Sequence, residues 1–335
     1  MVDQALLQTL ADGHWYNRQQ WPATDRGDPA GLAVRVAALT ELGLEVEYDA
    51  DRGYRLVEPL RLLERNRILN ALPGTLQESL QVFDLQLTVD STNSAALRWL
   101  RSGGTGRGLF LAERQELGRG RRGRNWASPF AGNIYLSLAW PVGNSPSVLD
   151  GFSLVTALSL VAGLQTAGLS GTGKLQVKWP NDVWLDGAKL AGILLELNGS
   201  RVASRHVIIG MGVNVHMPES ALQGITQPVT DLYTHGNVDV DRNAVVAAVL
   251  TSLEANLDTL ANDGFSPFRE HWHKLDALYH HPVEINDGRR VLSGVNAGVS
   301  ETGALILKTD EGEQHFSGGE VAPSVRPLAT GRHSL

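Results

Sequence analysis

The sequence contains no cysteine, which excludes disulfides, thiolate nucleophiles and thiolate-bound metals. It also has no uninterrupted apolar run of membrane-spanning length, and its N-terminal stretch MVDQALLQTLADGHW lacks the basic and apolar segments of a signal peptide. Positive charge is scarce, since 29 lysines and arginines face 36 acidic residues for a net charge of -7. We therefore expect a cytoplasmic protein whose overall field attracts neither nucleic acid nor membrane, so that any anion site must be local.

The length of 335 residues and the hydrophobic share of 42% predict more than one domain. Residues 1–60 combine apolar periodic segments with two short alternating strands around Gly53, a pattern typical of a winged helix-turn-helix-like domain. Residues 61–275 contain strands, an apolar helical segment and a run of short strands separated by turns, which predicts an antiparallel meander. Residues 278–328 form a pattern of short strands and polar turns that predicts a small β-barrel.

The segment GRGRRGRNWASP, residues 118–129, concentrates arginines and glycines in this acidic chain. Glycines free the backbone to present N–H groups, and guanidinium groups bind phosphate oxygens in pairs, so the composition suits an anionic ligand such as a triphosphate. A mobile basic loop that contacts nucleic acid or solvent explains the same composition, and the loop alone does not decide between the two. A dinucleotide-binding fingerprint matches poorly, because a predicted strand rather than a helix follows the glycines.

Three further segments bear on a ligand site. VKWPNDVWLDGAKLAG places Lys178, Asp182 and Lys189 around tight turns, where they either converge on one site or serve as a turn former and strand-edge charges. VDSTNSAA, residues 89–96, offers hydroxyl and amide groups at the start of a predicted helix. An N-cap would need only one of these groups. GMGVN, residues 210–214, ends a strand, and its glycines allow either the close approach of a ligand or a bulge.

In this order, DSTN, RQELGRGRRGRNW, KWPNDVWLDGAKLAGIL and GMGVNV resemble the biotin protein ligases, the enzymes that attach biotin to carboxylases. The resemblance covers the middle of the chain, and the last part looks like that family's C-terminal SH3-like β-barrel. It implies that the central domain has the α+β fold of class II aminoacyl-tRNA synthetases. It also implies that the first part occupies the place of the DNA-binding domain of the bifunctional ligase and biotin operon repressor type.

The resemblance further implies a reaction. The biotin carboxylate attacks the α-phosphorus of ATP, pyrophosphate leaves, and a lysine of a biotin carboxyl carrier protein or domain, such as that of acetyl-CoA carboxylase, attacks the biotinyl-5'-AMP. These steps need fixed cations, with Mg²⁺ assisting, and no nucleophile from this chain. We expect no metal site formed by the protein alone.

The family's site residues are carried over here by resemblance, position by position. The expected catalytic residues are Lys189 as the main cation, Arg119, Arg121 and Asp182, the last positioning the incoming lysine or Mg²⁺. The expected biotin-binding residues are Ser91, Thr92, Asn93, Gln115, Gly118, Arg119, Gly120, Arg121 and Lys189. The expected ATP- and adenylate-binding residues are Arg119, Arg121, Arg122, Lys189, Gly210, Gly212 and Asn214.

The loop tryptophan and the loop expected to cover adenine need separate comment. We expect Trp126 to pack under the arginine loop, in a structural role or in contact with the ligand. The family's adenine-covering loop often presents a tryptophan, whereas HMPESALQGITQPV, residues 216–229, contains none. The sequence therefore predicts a different cover for adenine.

The expected DNA-recognition helix departs from the family's pattern. DRGDPAGLAVRVAAL replaces a start rich in serine, arginine and lysine, Gly31 weakens the helix, and Pro22 falls within the preceding predicted helix. Residues 1–60 hold five arginines against ten acidic residues, a balance of -5. Because DNA affinity depends on neutralised phosphates, we expect weak binding to a biotin operator. The alternative is a domain that stabilises the ligase or limits access to it.

Two other functions share parts of this pattern. A biotin-sensing transcriptional regulator without ligase activity would keep the pocket and lose Lys189 or the loop arginines, all of which are present. A lipoate or octanoate protein ligase would share the central fold, although the motifs fit the biotin branch better. The stretch GILLEL, residues 192–197, is either a buried strand or a dimer edge, and we expect a homodimer that forms when ligand binds.

Overall fold

A computed structural model describes residues 3–17, 19–21, 29–142, 151–169, 173–199, 205–236, 240–286, 290–317 and 324–328. Its α-helices are α1 Gln4–Leu10, α2 Pro29–Glu41, α3 Arg65–Ala71, α4 Gly74–Ser79, α5 Thr92–Arg101, α6 Phe152–Leu164, α7 Glu219–Leu222, α8 Leu232–Gly236, α9 Arg242–Asp263 and α10 Arg269–Leu275. Its strands are β1 Val46–Asp49, β2 Gly53–Leu56, β3 Leu80–Val89, β4 Arg107–Gln115, β5 Ile134–Pro141, β6 Leu175–Lys178, β7 Asp182–Leu185, β8 Ala188–Asn198, β9 His206–Val213, β10 Pro282–Asn286, β11 Val291–Val299, β12 Leu305–Thr309, β13 Gly312–Phe316 and β14 Ser324–Pro327.

A seven-stranded sheet forms the centre of the molecule, in the order β3-β4-β5-β9-β8-β7-β6. Strands β3 and β4 are parallel and the other neighbours are antiparallel. Strands β6 to β9 follow one another as hairpin partners, which confirms the predicted antiparallel meander. Short turns suffice for such connections, because neighbouring antiparallel strands end close together.

The two faces of the central sheet have different cover. Helices α6 and α9 pack on each other over one face of the sheet, and α6 is buried on nearly all sides. Their apolar side chains and those of the sheet form one core. Helix α6 with its π-helical extension to Leu169, and α9, are each long and apolar enough to cross a membrane by composition, but both lie packed in this core. Among the elements that the structure describes, α5 covers one end of the other face, which leaves room for a cavity beside it.

The C-terminal part is a five-stranded antiparallel sheet in the order β13-β12-β11-β10-β14. Its buried side chains belong to the same core as α10 and the central domain. The indole of Trp179 donates a hydrogen bond to the Gly303 carbonyl oxygen at 3.2 Å. The predicted C-terminal β domain is therefore confirmed as a β-sheet domain that packs directly on the central one.

The N-terminal part contains α1, α2 and the hairpin of β1 and β2, which form a separate small core. Asp3 caps α1 and also pairs with Arg35 of α2, with 2.8 Å between Oδ2 and Nη1. Residues 22–28, which include Pro22 and the expected start of the recognition segment, lie outside the described residues. Phe130 of the central domain is buried in the N-terminal core, so the two parts share apolar contacts.

The connection between these two parts is fixed by a buried ion pair. Arg242, at the start of α9, contacts Glu113 of β4 at 2.7 Å and donates to the Arg61 carbonyl oxygen at 2.7 Å. Glu113 also accepts a hydrogen bond from the backbone N–H of Leu63. Since a buried charge is costly unless it is paired, this network fixes residues 61–63 against the central sheet.

Candidate functional site

The arginine and glycine segment is a loop between antiparallel neighbours β4 and β5. Its centre is a single 3₁₀ turn over Arg121–Gly123, closed by a hydrogen bond from the Gly120 N–H to the Arg124 carbonyl oxygen at 2.7 Å. Arg122 has a positive φ of 60°, a conformation that side-chain-bearing residues adopt infrequently. The loop opens no long helix, which agrees with the poor match to a dinucleotide-binding fingerprint.

Gly210 and Gly212 of β9, with Gly192 of β8, make the floor of the site, and Trp126 packs against both strands. In β9, Ile209, Met211 and Val213 point into the apolar core, so Gly210 and Gly212 face the opposite side of the sheet. A Cβ on Gly212 would collide with the Trp126 indole, and a Cβ on Gly210 would collide with the Asn93 amide. These glycines are therefore required for close packing, and Trp126 lies under the loop as predicted.

Hydroxyl and amide groups form one end of the site at the start of α5. Ser91 is the N-cap residue but its side chain makes no capping hydrogen bond. Gln115 Oε1 accepts from the Thr92 N–H at 2.9 Å and from the Thr92 hydroxyl at 3.2 Å. The buried Ser137 hydroxyl lies 2.7 Å from Thr92 Oγ1 and 2.5 Å from Asn93 Oδ1. The side chains that line the cavity at this end are uncharged donors and acceptors, while the Glu196 carboxylate, outside that lining, accepts from Asn93 Nδ2 at 2.6 Å.

Lys189 and Asp182 meet at the other side of the floor. Strands β7 and β8 pair Asp182 with Gly192 and Trp184 with Lys189, and the Lys189 ammonium lies 2.7 Å from Asp182 Oδ1. Their side chains are only 14% and 15% exposed, so the pair is shielded from bulk water. The same ammonium stands 5.4 Å from the centre of the Trp126 ring. Of the two arrangements that the sequence left open, strand pairing brings Lys189 and Asp182 together on one side of the sheet.

Two more basic side chains are partly desolvated here. Burial lowers the pKa of Arg121 to about 10, and its guanidinium donates to Asn181 Oδ1 at 2.9 Å. Burial also lowers the pKa of Lys178, whose ammonium stands 4.7 Å from the centre of the Trp184 ring. The charged form of each group loses hydration in this setting, so an incoming anion would replace that lost hydration.

These elements surround one cavity of about 1050 Å³. Among its described lining residues the basic side chains are Arg119, Arg121, Arg122, Arg124, Lys178, Lys189 and Arg326, and the acidic one is Asp182. The neutral end is lined by Ser91, Thr92, Asn93 and Gln115. The cavity thus joins a polar, uncharged pocket to a strongly positive one, inside a chain whose net charge is -7.

A further loop borders the cavity near Lys189. The backbone of Lys189 pairs with this loop through hydrogen bonds to Pro228 O and from Thr230 N, each 3.0 Å long. Residues 224–228 line the cavity, with Ile225 as their largest apolar side chain. Asn214 holds the loop from below, since its Nδ2 donates to the Thr230 carbonyl oxygen at 3.1 Å.

Most predicted site residues lie on the cavity, and two do not line it. Gly118 instead packs against Ser128 and the Trp126 carbonyl, and Asn214 is buried beneath the bordering loop. Sequence reasoning missed Arg326, which reaches the cavity from β14, because a distant domain supplies it. It also missed Ser137 and Glu196, whose contacts with the Asn93 amide depend on strand pairing.

The fold and the site define a binding cavity for a ligand that joins an uncharged polar head to an anionic group. The sequence model of the Biotin/lipoate A/B protein ligase family matches residues 86–214, and that of the Biotin protein ligase C terminal domain matches residues 281–322. The chain is 34% identical over 320 residues to the "Bifunctional ligase/repressor BirA" of Escherichia coli, covering 95% of each chain.

Another curated relative and a solved structure point to the same family. The chain is 37% identical over 240 residues to the "Biotin--[acetyl-CoA-carboxylase] ligase" of Paracoccus denitrificans, covering 69% of this chain and 96% of that one. It is similar to the structure of the biotin protein ligase from Aquifex aeolicus in complex with biotin and ATP, with a TM-score of 0.61 and 28% identity, over 75% of this chain and 100% of that one. The chain belongs to the biotin protein ligase family.

Proposed function

We propose that this protein activates biotin with ATP to biotinyl-5'-AMP and transfers the biotin to a lysine of a biotin carboxyl carrier domain. The observation that carries the proposal is the single cavity that joins the uncharged polar end at α5 to the cluster of basic side chains around Lys189. Biotin has an uncharged ureido head and a carboxylate tail, and in its adenylate that carboxyl group is joined through one oxygen to the phosphate of AMP. The two ends of the ligand therefore match the two ends of the cavity.

The polar end suits the ureido head. A ureido group has two N–H donors and one carbonyl acceptor, and the pocket offers hydroxyl groups of Ser91 and Thr92 together with the amides of Asn93 and Gln115. The Ser91 hydroxyl is not used to cap α5, so it remains available to a ligand. A buried polar site selects for ligands that satisfy its hydrogen bonds, because unpaired groups are costly.

The basic end suits the reaction. Negative charge builds up as the carboxylate attacks the α-phosphorus and pyrophosphate departs, and preorganised cations stabilise that charge. Lys189 lies on a strand, paired to Asp182, and is well placed to contact first the carboxylate and then the phosphate. Arg119, Arg121 and Arg122 lie on the loop, which we propose closes over the bound adenylate. Gly210 and Gly212 let Asn93 and Trp126 pack against the sheet, where both side chains border the cavity.

Magnesium would enter with the nucleotide. Among the residues that the structure describes, no three histidine or acidic side chains come together as metal ligands, so phosphate oxygens would supply most of the ligands and Asp182 is the nearest carboxylate. When bound, Mg²⁺ supplies additional positive charge to the phosphates. The chain's own cations orient the triphosphate beside it.

The adenine ring has an apolar border that contains no tryptophan. We propose that residues 224–228 cover the ring with Ile225, and that the Trp126 indole lies on the opposite side of the ligand. Asn214 would act indirectly, because its side chain holds this loop in place rather than lining the cavity.

We also propose a specific fold for each of the three parts of the chain. We infer a winged helix-turn-helix-like fold for residues 1–60, a class II aminoacyl-tRNA synthetase-like fold for residues 61–275 and an SH3-like barrel for residues 278–328. The helices and hairpin of the first part support this fold, as do the mixed sheet and the C-terminal sheet for the others. We further propose a cytoplasmic location and a homodimer that forms on ligand binding, with the part of β8 beyond its pairing with β7 as its edge.

Operator binding by the N-terminal part is a separate matter. The solvent-facing side of α2 carries Ala33, Val34 and Ala37, and Val34 is 71% exposed. Arg35 instead turns back to Asp3. This neutral face offers little to phosphates, so we propose that the protein acts as a ligase and binds the biotin operator weakly. A gel-shift series at low salt tests this, and specific retention of the operator would contradict it.

Ligand choice tests the ligase directly. The full chain is incubated with ATP, Mg²⁺ and a carboxyl carrier domain, and transfer is compared for biotin, lipoate and octanoate. We expect biotin alone to be transferred efficiently. Transfer of lipoate or octanoate would place the chain in the other branch of its fold, and binding of biotin without transfer would favour a sensor.

A further inference from the structure

Glu196 is a carboxylate that neither the predicted motifs nor the proposed mechanism uses. It lies on β8 on the same side of the strand as Gly192 and Leu194, which line the cavity. Its partner across the sheet is Ile208 of β9, a buried residue of the core beneath α5. The carboxylate therefore stands beside the polar pocket, outside the cavity lining and with its side chain 35% exposed.

One oxygen of this carboxylate holds the Asn93 amide. Asn93 Nδ2 donates to Glu196 Oε2 at 2.6 Å, and Asn93 Oδ1 accepts from the Ser137 hydroxyl at 2.5 Å. An ionised carboxylate can only accept hydrogen bonds, so Glu196 requires the amide to present its nitrogen on this side. The carbonyl oxygen must then face Ser137. The orientation of Asn93 is thereby fixed from both ends.

The other oxygen reaches the loop. The Arg119 guanidinium nitrogen Nη2 lies 3.5 Å from Glu196 Oε1. Arg119 stands at the start of the arginine loop, where Arg119 and Asn125 form an isolated bridge. A single carboxylate thus contacts both the rigid start of α5, through Asn93, and the loop that borders the basic end.

We propose that Glu196 is a positioning residue that orients Asn93 for the ureido head of biotin and docks the arginine loop through Arg119. The inference rests on the proposed function, because it assigns the ureido head to the pocket at α5. Removing the carboxylate frees the Asn93 amide to rotate and leaves Arg119 without this anchor. Biotin recognition is therefore expected to weaken more than ATP binding, because Lys189 on β8 stays in place while Arg119 and its loop lose this contact.

Two substitutions separate the two contacts. Glu196→Gln retains an acceptor for Asn93 and removes the charge facing Arg119, whereas Glu196→Ala removes both. We expect Glu196→Ala to raise the KM for biotin about 10-fold or more and Glu196→Gln to raise it about 3-fold, with the KM for ATP raised by a smaller factor in each. In both variants we expect protease cleavage within 119–124 to persist when biotin and ATP are present.

A distant carboxylate provides the control. Glu254 accepts from Arg107 at 2.7 Å and from the Thr75 hydroxyl at 3.1 Å, away from the cavity, so Glu254→Gln tests the general effect of losing such a group. Thermal unfolding of each variant checks that it is folded. Wild-type protein that transfers no biotin would overturn the proposed function itself. Wild-type transfer together with an unchanged biotin KM in both Glu196 variants, or equal increases in the KM values for biotin and ATP, would overturn the role of Glu196.

Discussion

The arginines of the central cavity and those of the N-terminal part occupy opposite environments. In the cavity seven basic side chains and a single carboxylate line the described walls. In the N-terminal part, Arg35 pairs with Asp3 and Arg55 with Glu47, while Arg52 and Arg55 lie over the Trp15 ring at 4.3 and 4.9 Å. The first set outnumbers the carboxylates of its cavity, whereas the arginines of the second set are matched by partners within the N-terminal fold.

An anion site is therefore located by a local excess of positive charge and not by the net charge of the chain. The chain as a whole is acidic, yet its cavity concentrates positive charge between low-polarity walls, where electrostatic interactions are stronger than in water. The N-terminal arginines contribute to stability instead. Substitutions in the cavity should therefore impair catalysis, whereas substitutions of the N-terminal arginines should leave it nearly unchanged.

The floor of the cavity should be the most sensitive part. Gly212→Ala places a methyl group against the Trp126 ring, so the indole and the loop above it must move. We expect kcat/KM for biotin to fall about 100-fold, as misplacement of a site by about 1 Å can do. Gly74→Ala is the matched control, because nothing lies within 4 Å of its added Cβ. Equal activity of the two variants would contradict the described floor.

Arginine substitutions compare the two regions directly. Arg121→Ala removes a partly desolvated guanidinium from the cavity, and we expect kcat/KM for ATP to fall about 10- to 100-fold, the equivalent of one charge-assisted hydrogen bond. Arg55→Ala removes an arginine paired within the N-terminal hairpin, and steady-state kinetics should change less than about 2-fold. A similar loss in both variants would show that the contrast is not functional.

The pH dependence of ATP binding reports on Lys178. Burial lowers the pKa of its ammonium below the ordinary value, so the cation is lost at lower pH than in an exposed lysine. We therefore expect the KM for ATP to increase as pH rises through that lowered pKa. Lys178→Arg keeps its charge and should move the increase to higher pH. An identical pH profile for both proteins would argue against a role for the Lys178 charge.

The smallest effect is expected in the N-terminal part. Arg35→Ala removes the partner of the Asp3 cap, and we expect the free energy of unfolding to fall by about 0.5–1 kcal/mol. Denaturant titration measures that loss, and a gel shift at low salt should change little. A large loss of DNA retention in this variant would assign Arg35 to DNA rather than to the fold.

Sequence patterns predicted much of this structure because they report on neighbouring residues. The meander of β6 to β9 follows from alternating strands and turns, and the meeting of Lys189 with Asp182 follows from the tight turns between those strands. Pairings between distant strands are not visible in a single sequence. Glu196 and Asn93 are brought together only by the position of α5 over the sheet, and Arg326 only by the packing of the C-terminal domain.

The transfer of labelled biotin to a carboxyl carrier domain in the presence of ATP and Mg²⁺, with Lys189→Ala beside the wild type, tests the central claim most directly. Lys274→Ala is the control, since that lysine pairs with Glu270 at the surface of α10. We predict transfer by the wild type and the control, and a rate about 100-fold or more lower for Lys189→Ala. Equal rates for all three proteins would contradict the assignment of the cavity cations to the activated biotin.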